Sequence, residues 1–375
     1  MGFDANRADL CIGVIGTGAM GRGIVQVSAA GGMQVVMMDT RAGAAEEARD
    51  FVAKMLARAA EKGSMTQADA DAATARIRVA QSLAEFKDCH MVVEAIIENL
   101  DAKRALFGEL EGIVGPDCIL ATNTSSMSVT TIAAKLKTPQ RFAGFHFFNP
   151  VPLMKLVEVI DGLQTENWVS EALMVIGRRM TREPVRLTDA PGFLVNQVGR
   201  GFTLEASHLV HEGVASFVDV DRVMRDVGGF RMGPFELMEL TGLDVTQPAS
   251  VLIYNQFFQE QRFRPSVIMQ SRYEAGVLGR KSKKGFYNYD AEMKPIVAPE
   301  APAPTAKPKS VWVSKAEPAG HEALTALLAK LGANIEGGAK PSADALILVT
   351  PIGKDATTCA VEEGLDPKRT VAVDT

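Results

Sequence analysis

Through the first half of the chain, short apolar runs alternate with longer stretches of mixed polarity. Ile12–Ile15, Val35–Met38, MVVEAI from Met91, CILATNTS from Cys118, FAGFHFF from Phe142, KLVEVI from Lys155 and PVRLTDA from Pro184 are short and rich in β-branched or aromatic residues. Such runs predict buried strands. The stretch after Ile15, residues 43–62, Gln67–Ile77, Leu100–Val114, Met127–Leu136 and Trp168–Glu183 have helical length and character. Strands that read as continuously apolar, separated by helices, predict an α/β fold with a largely parallel sheet. The FAGFHFF and KLVEVI runs are joined by an Asn-Pro-Val-Pro turn, and if these two strands fold back on each other, His146 and Glu158 could meet.

The pattern changes after residue 190. From Gly192 to about Leu278 long apolar-periodic helices follow one another with few strand signals, which predicts a separate, mostly α-helical domain. Ala291–Lys309 then carries Pro295, Pro299, Pro302, Pro304 and Pro308 among Ala and Lys, the composition of a stiff, extended linker. Beyond it, SVWVSKA, HEALTALLAKLGA, ALILVTP, CAVEEG and RTVAVDT alternate strand and helix again, as half of a small α/β domain. Its end inside an apparent strand suggests an incomplete copy of a longer protein. The expected divisions are therefore 1–190, 191–290, a linker at 291–310, and 311–375.

Within the first strand–helix–strand unit, the turn reads Gly-Thr-Gly-Ala-Met-Gly, and the second strand closes on Asp39. This is the spacing of a dinucleotide-binding, Rossmann-type turn. Gly16 permits the tight exit from the strand, Gly18 lets a pyrophosphate approach the backbone, and Gly21 allows the helix to pack closely on the sheet. Gly16, Gly18, Ala19, Met20 and Gly21 thus form the candidate cofactor-binding turn, with free helix N–H groups facing the anion. Asp39 is placed to accept from the adenosine ribose hydroxyls, and its charge favours NAD over NADP, although Arg41 stands close by. No such turn follows VWV in the C-terminal segment, so that segment is not expected to bind a dinucleotide in the same manner.

Length and composition sharpen the picture only a little. The 375 residues allow two or three domains, and 47% apolar with 23% charged residues is ordinary for a globular protein. A formal charge of −5 argues against a nucleic-acid partner. Cys11, Cys89, Cys118 and Cys359 show no metal spacing, and three lie in or beside strand-like runs, so buried free thiols are expected. No apolar leader or long uncharged run is present, which points to the cytoplasm and to no membrane partner.

Polar residues inside these patterns mark the candidate chemistry. Ligands of open α/β sheets bind outside the carboxyl ends of the strands, which places Glu94, Glu98, Asn123, Thr124 and Ser125 near the cofactor. The Asn-Thr-Ser-Ser run can equally cap the helix that follows it. His146 and Glu158 each sit in an apolar strand, where a polar side chain requires a partner. A core histidine satisfied by a neighbouring carboxylate accounts for that pair nearly as well as catalysis does. The catalytic reading rests on a carboxylate making an imidazole more basic and fixing its tautomer, which suits a base for an alcohol proton. Lys54, Arg58 and Lys62 recur at four-residue spacing on one helix face, the ordinary pattern of a solvated face. Asn196 falls early in the first helix of the second domain. His208 and His211 have no further ligand beside them, and no metal site is expected.

Taken together, GTGAMGRGI, VVEAIIENL, ATNTSSMSVT, FAGFHFFNPVPLMKLVEVI, DAPGFLVNQV, MGPFELMELTGLD and GRKSKKGFYNY resemble the L-3-hydroxyacyl-CoA dehydrogenases, including bacterial 3-hydroxybutyryl-CoA dehydrogenases. The match runs from about Leu10 to Tyr289 in the family's order. The resemblance implies a Rossmann-type NAD-binding domain followed by a helical substrate and dimerisation domain. It also implies an enzyme of fatty-acid β-oxidation type that acts on acyl-CoA as a homodimer. It makes His146 the general base and Glu158 the residue that orients it, with Ser125 and Asn196 holding the substrate's oxygens. Cofactor contacts carry over to Asp39, Glu98, Lys103, Ser125, Asn149 and Lys281. Coenzyme A is expected beside the helical hairpin after the second strand, which raises Lys54 and Lys62 as substrate contacts. Two alternatives stay open: a different 3-hydroxyacid dehydrogenase of similar plan, and a non-catalytic dinucleotide-binding or structural relative.

Overall fold

The computed structural model describes residues 3–299 and 305–374. They divide at Val297–Ala298 into two compact units. Pro302 and Pro304 of the expected linker lie outside the described residues.

The first unit is built on one eight-stranded sheet. Its strands are β1 (Cys11–Ile15), β2 (Gln34–Met38), β3 (Ile77–Val79), β4 (Met91–Glu94), β5 (Ile119–Thr122), β6 (Phe142–Phe147), β7 (Leu156–Asp161) and β8 (Glu183–Thr188). They lie in the order β3-β2-β1-β4-β5-β6-β7-β8. The first six are parallel, β7 runs antiparallel to β6, and β8 runs parallel to β7. Ile12 and Val14 enter the core on one face of the sheet, and Ile15, Val92 and Leu120 enter it on the other. That is why these strands read as unbroken apolar runs rather than alternating ones. The faces are covered by α1 (Ala19–Ala30), α2 (Ala44–Glu61), α3 (Gln67–Ala75), α4 (Leu100–Leu110), α5 (Val129–Ala133) and α6 (Asn167–Arg179). Strand order reverses between β1 and β4, so a crevice is expected at their carboxyl ends.

Two residues read as helix ends lie in strands instead. Ile77, read as the end of a helix, begins the edge strand β3, where it pairs with Val35 and is buried. The β-branched pair Ile77 and Val79 gains more from sheet burial than from a further helical turn. Glu183, also read as helical, opens β8, because Thr181 turns the chain in a left-handed conformation (φ 57°) and Pro184 cannot extend a helix.

From residue 192 the chain is helical: α7 (Val195–His211), α8 (Phe217–Asp226), α9 (Pro234–Thr241), α10 (Leu243–Gln256) and α11 (Val267–Glu274). Leu204, Val220, Phe235, Met238 and Met269 share one core with Phe286 and Tyr287. Asp221 on α8 knits it together. Its carboxylate accepts from the Phe235 and Glu236 amides at the start of α9 (2.8 and 3.0 Å) and from the Tyr287 hydroxyl (2.6 Å). A short hairpin, β9 (Asn288–Tyr289) with β10 (Pro295–Ile296), follows. It draws the first residues of the expected linker into pairing.

The second unit holds β11 (Val311–Val313), β12 (Leu346–Val349) and β13 (Thr370–Ala372), parallel in that order, with α12 (Pro318–Lys330) and α13 (Ala356–Glu363). Trp312, Ile347, Val349 and Ala360 form a core of its own. Where α1 has Gly18 at its N-cap, α12 has Glu317, whose charge would repel a phosphate. Among the described residues no helix is long and apolar enough to cross a membrane, and no group of three or more His, Cys, Asp or Glu side chains is placed to hold a metal ion.

Asp221 is 1% exposed, so its removal would strand two amides and a hydroxyl away from water. Asp221→Ala is expected to lower unfolding free energy by about 3 kcal/mol or more, read from denaturant titrations. A loss below about 1 kcal/mol would show that water or a shifted side chain replaces the clamp.

Candidate active site

At the carboxyl end of β1 the chain leaves the sheet through Gly16, whose φ of +90° disfavours other residues and whose N–H donates to the Met38 carbonyl (2.9 Å). A Cβ at Gly16 would sit 2.5 Å from the Ala95 carbonyl oxygen, and one at Gly21 only 1.8 Å from the Gly16 carbonyl oxygen. Gly21 therefore serves the closure of the turn itself more than helix–sheet packing, which refines the sequence reading. A Cβ at Gly18 would meet nothing within 4 Å. Gly18 is the N-cap of α1, no side chain caps it, and the first turn carries no acidic residue. The result is an open approach to amides at a positive helix end, which fits a pyrophosphate.

Asp39 closes β2 beside this turn. One carboxylate oxygen accepts from the Thr17 amide (2.7 Å) and hydroxyl (2.9 Å), and the other accepts from the Arg41 amide (3.0 Å). Partial burial opposes ionisation, but these bonds together hold the carboxyl below its ordinary value, so it is charged at neutral pH. The Arg41 guanidinium turns away to Glu47 at 2.7 Å. Thr17, overlooked in the sequence because the glycines dominate the motif, is the residue that aims Asp39.

Next to the turn lies a buried ion-pair network. Lys103 on α4 is 1% exposed, and its ammonium sits 2.5 Å from Glu94 and 3.2 Å from Glu98. Glu94, at the end of β4, also accepts from the Thr122 hydroxyl and the Ile96 amide. Glu98 accepts from the hydroxyls of Thr124 and Ser126. Burial works against its ionisation, yet these hydroxyls and the Lys103 charge hold its carboxyl below the usual range. Lys103 thus positions Glu98, and Glu98 in turn pins the loop on both sides of Ser125. Ser125 itself is exposed, and its hydroxyl has no hydrogen bond among the described residues. Asn123 accepts from the Phe147 amide (2.8 Å), which ties this loop to the residue after His146. Thr124 and Ser128 act as caps before α5, so capping and site-building share the loop.

The antiparallel register of β6 and β7 sets His146 directly opposite Glu158. The His146 Nδ1 lies 2.6 Å from a Glu158 oxygen, with His146 5% and Glu158 0% exposed. A carboxylate only accepts, so Nδ1 donates to it, and Nε2 is the ring nitrogen that faces away from Glu158. The other Glu158 oxygen accepts from the amides of Leu194 (3.0 Å) and Val195 (2.9 Å) at the start of α7. Gly192 and Phe193, both left-handed (φ 75° and 52°), turn the chain so that these amides converge. The Phe193 ring lies 5.7 Å from the imidazole. Asn196 follows Val195 on α7, half-buried, so its place is set by the same anchor. Because these donors are backbone amides, no side-chain pattern announces them.

A cleft of about 400 Å³ opens between α1, α2 and the Asn149–Leu153 loop. Arg22, Arg58 and Lys62 line it together with Phe51, Met55 and Val151, and Asn149 stands at its edge. Arg22 lies over the Phe51 ring at 4.0 Å. Lys54 is exposed on α2 but is not among the lining residues. Arg58, which shares its face with Lys62, is. Lys281 stands apart: its ammonium is held 2.7 Å from Asp244 at the start of α10, and no hydrogen bond joins it to the other candidate residues among those described.

The family model described as 3-hydroxyacyl-CoA dehydrogenase, NAD binding domain, matches residues 11–190, and that described as 3-hydroxyacyl-CoA dehydrogenase, C-terminal domain, matches residues 192–289. The chain is 40% identical over 300 residues to the 3-hydroxyadipyl-CoA dehydrogenase of Escherichia coli, covering 80% of this chain and 63% of that protein. It therefore spans less than two thirds of that relative's length. It is also 40% identical over 277 residues to a probable 3-hydroxybutyryl-CoA dehydrogenase of Deinococcus radiodurans, covering 74% of this chain and 99% of that one. The crystal structure of 3-hydroxybutyryl-CoA dehydrogenase from Escherichia coli superimposes with a TM-score of 0.76 at 33% identity, covering 98% of this chain and 80% of that one. The chain belongs to the 3-hydroxyacyl-CoA dehydrogenase family.

Proposed function

We propose that this chain catalyses the NAD-dependent oxidation of L-3-hydroxyacyl-CoA esters, such as 3-hydroxybutyryl-CoA, to 3-oxoacyl-CoA. The observation that carries the reading is the buried His146–Glu158 pair at 2.6 Å, with Glu158 further anchored by the Leu194 and Val195 amides. His146 takes the 3-hydroxyl proton on Nε2, and the Glu158 charge stabilises the imidazolium that results. Ser125 and Asn196, each on a segment fixed beside the pair, hold the substrate's oxygens.

The glycine turn with the uncapped start of α1, Asp39 and Glu98 are the residues that hold NAD, with Lys103 setting the position of Glu98. Bound there, NAD supplies the hydride acceptor for the carbon that carries the hydroxyl. Asn149, carried over as a cofactor contact by family resemblance, is one of the residues lining the cleft on α2. Arg22, Arg58 and Lys62 give that cleft the charge to receive phosphates of coenzyme A, while Phe51 and Met55 provide an apolar wall. Lys54 and Lys281 retain only the support of family resemblance. Residues 1–190 form the NAD-binding domain and 191–290 the helical domain. Exposed apolar residues such as Val198, Val227 and Val267 on the helices support a homodimer formed through that domain. The absence of a membrane-spanning helix among the described residues accords with a cytoplasmic enzyme.

Oxidation of NADH with acetoacetyl-CoA, compared with longer 3-oxoacyl-CoA esters and with free acetoacetate, tests the activity. Turnover of the free acid as fast as the ester would overturn the CoA reading. His146→Ala is expected to lower kcat by at least about a hundredfold while NAD affinity stays near wild type. Glu158→Gln should lower it as well, and adding it to His146→Ala should cost little more, because the two act as one unit. A folded His146→Ala enzyme with near-normal kcat would remove the histidine from the mechanism. Asp39→Ala should weaken NAD binding about tenfold or more and narrow the preference over NADP, as titration with both cofactors would show. Replacing Arg58 and Lys62 together with Ala should raise KM for the CoA ester about tenfold with kcat nearly unchanged, the signature of lost uniform binding. An unchanged KM would place coenzyme A elsewhere.

A further inference from the structure

Three of the four cysteines gather at the end of the sheet opposite the glycine turn. Cys11 begins β1, Cys89 lies just before β4, and Cys118 lies just before β5. The sulfurs of Cys11 and Cys89 are 3.8 Å apart. Both residues line a cleft of about 310 Å³ in which Cys11 is half-buried and Arg78 and Asp88 stand nearby. From this separation, a modest side-chain adjustment brings the sulfurs to the about 2.05 Å of a disulfide. The site lies away from every residue assigned to NAD or substrate, and it does not depend on the proposed reaction.

We propose that Cys11 and Cys89 are a peroxide-sensitive dithiol that closes to a reversible intramolecular disulfide. Cys11 is the attacking sulfur. The two thiols are within hydrogen-bond reach, and this contact, with the Arg78 charge, outweighs burial and Asp88 in holding the Cys11 thiol below its ordinary value. Cys89 is correspondingly pushed up and remains protonated. The Cys11 thiolate attacks one oxygen of hydrogen peroxide, the O–O bond breaks, and the hydroxide released takes up a proton as water. Cys11 is then a sulfenic acid. Cys89 attacks its sulfur, the S–O bond breaks, and the departing hydroxide takes the Cys89 proton to leave as a second water. Two thiols thereby give two electrons to one peroxide, and a dithiol reductant reverses the change by exchange.

Cys118 is a bystander. It is buried, its S–H donates to the Ile119 carbonyl (3.6 Å), and burial pushes its thiol up to about 12. The Cys11 amide donates to His90 Nδ1 (3.0 Å), which fixes the backbone beside the attacking sulfur. The cross-link would join β1 to the turn entering β4 across 78 positions of sequence.

The test is to treat the full chain with hydrogen peroxide, then count free thiols after denaturation and map linked peptides by mass spectrometry. The wild type should fall from four free thiols to two, lose two hydrogen atoms, yield a Cys11–Cys89 linked peptide, and recover all four thiols with dithiothreitol. Cys118→Ser should form the same link. Cys11→Ser, at a half-buried position where folding is readily kept, should form none and should lose its remaining thiols at least about tenfold more slowly. A wild-type protein that keeps four thiols, a link that joins Cys118 instead, or a Cys11→Ser variant that oxidises as fast as wild type would overturn the proposal.

Discussion

The organising constraint of the first unit is one buried charge. Glu158 is completely shielded from water, and a carboxylate in that position is tolerated only if both oxygens are matched. One oxygen meets His146 across the β6–β7 register, and the other meets two amides at the start of α7. The same side chain therefore fixes which tautomer the histidine holds, how the two antiparallel strands align, and where the helical segment begins. A slip of one residue in the β6–β7 pairing would turn Glu158 or His146 to the opposite face and leave the other unpaired in the core.

The remaining polar groups of the site follow the ends of the parallel strands. β1 delivers the glycine turn, β2 delivers Asp39, β4 delivers Glu94, and β5 delivers the Asn123–Ser126 loop. The groups there are anchored by neighbours: Thr17 holds Asp39, Lys103 holds Glu94 and Glu98, and Asn123 accepts from the Phe147 amide. These contacts remove rotameric freedom from the site before anything binds, which is the condition for precise positioning. Ser125 and Asn196 differ in kind. Their side chains have no hydrogen bond among the described residues and are placed only by the segments that carry them.

At the other end of the same strands the chemistry is of another sort. Cys11 begins β1, and Cys89 and Cys118 stand just before β4 and β5. Close packing brings two of their sulfurs into contact. The opposite ends of one sheet thus carry a polar site organised by charge and a thiol pair organised by packing.

Much of this was legible in the residues alone. Unbroken apolar strands, the glycine turn and an acidic residue closing the second strand determined the fold class and the cofactor edge, because strand burial and phosphate approach impose local requirements that appear in composition and spacing. The Asn-Pro-Val-Pro turn joined the strands carrying His146 and Glu158 in the sequence, and the antiparallel register that sets the two residues opposite each other came from the fold. Three further things were left to the tertiary structure. Ile77 went to a strand edge because burial beside Val35 outweighed local helical preference. The burial of Lys103, carried over as a cofactor contact, came from the fold, since Glu94 and Glu98 approach it from two different segments. The second anchor of Glu158 came from the Leu194 and Val195 amides, and every residue has an amide. Sequence can show that a buried charge needs partners, but when those partners are backbone groups brought from another segment, only the folded chain decides which they are.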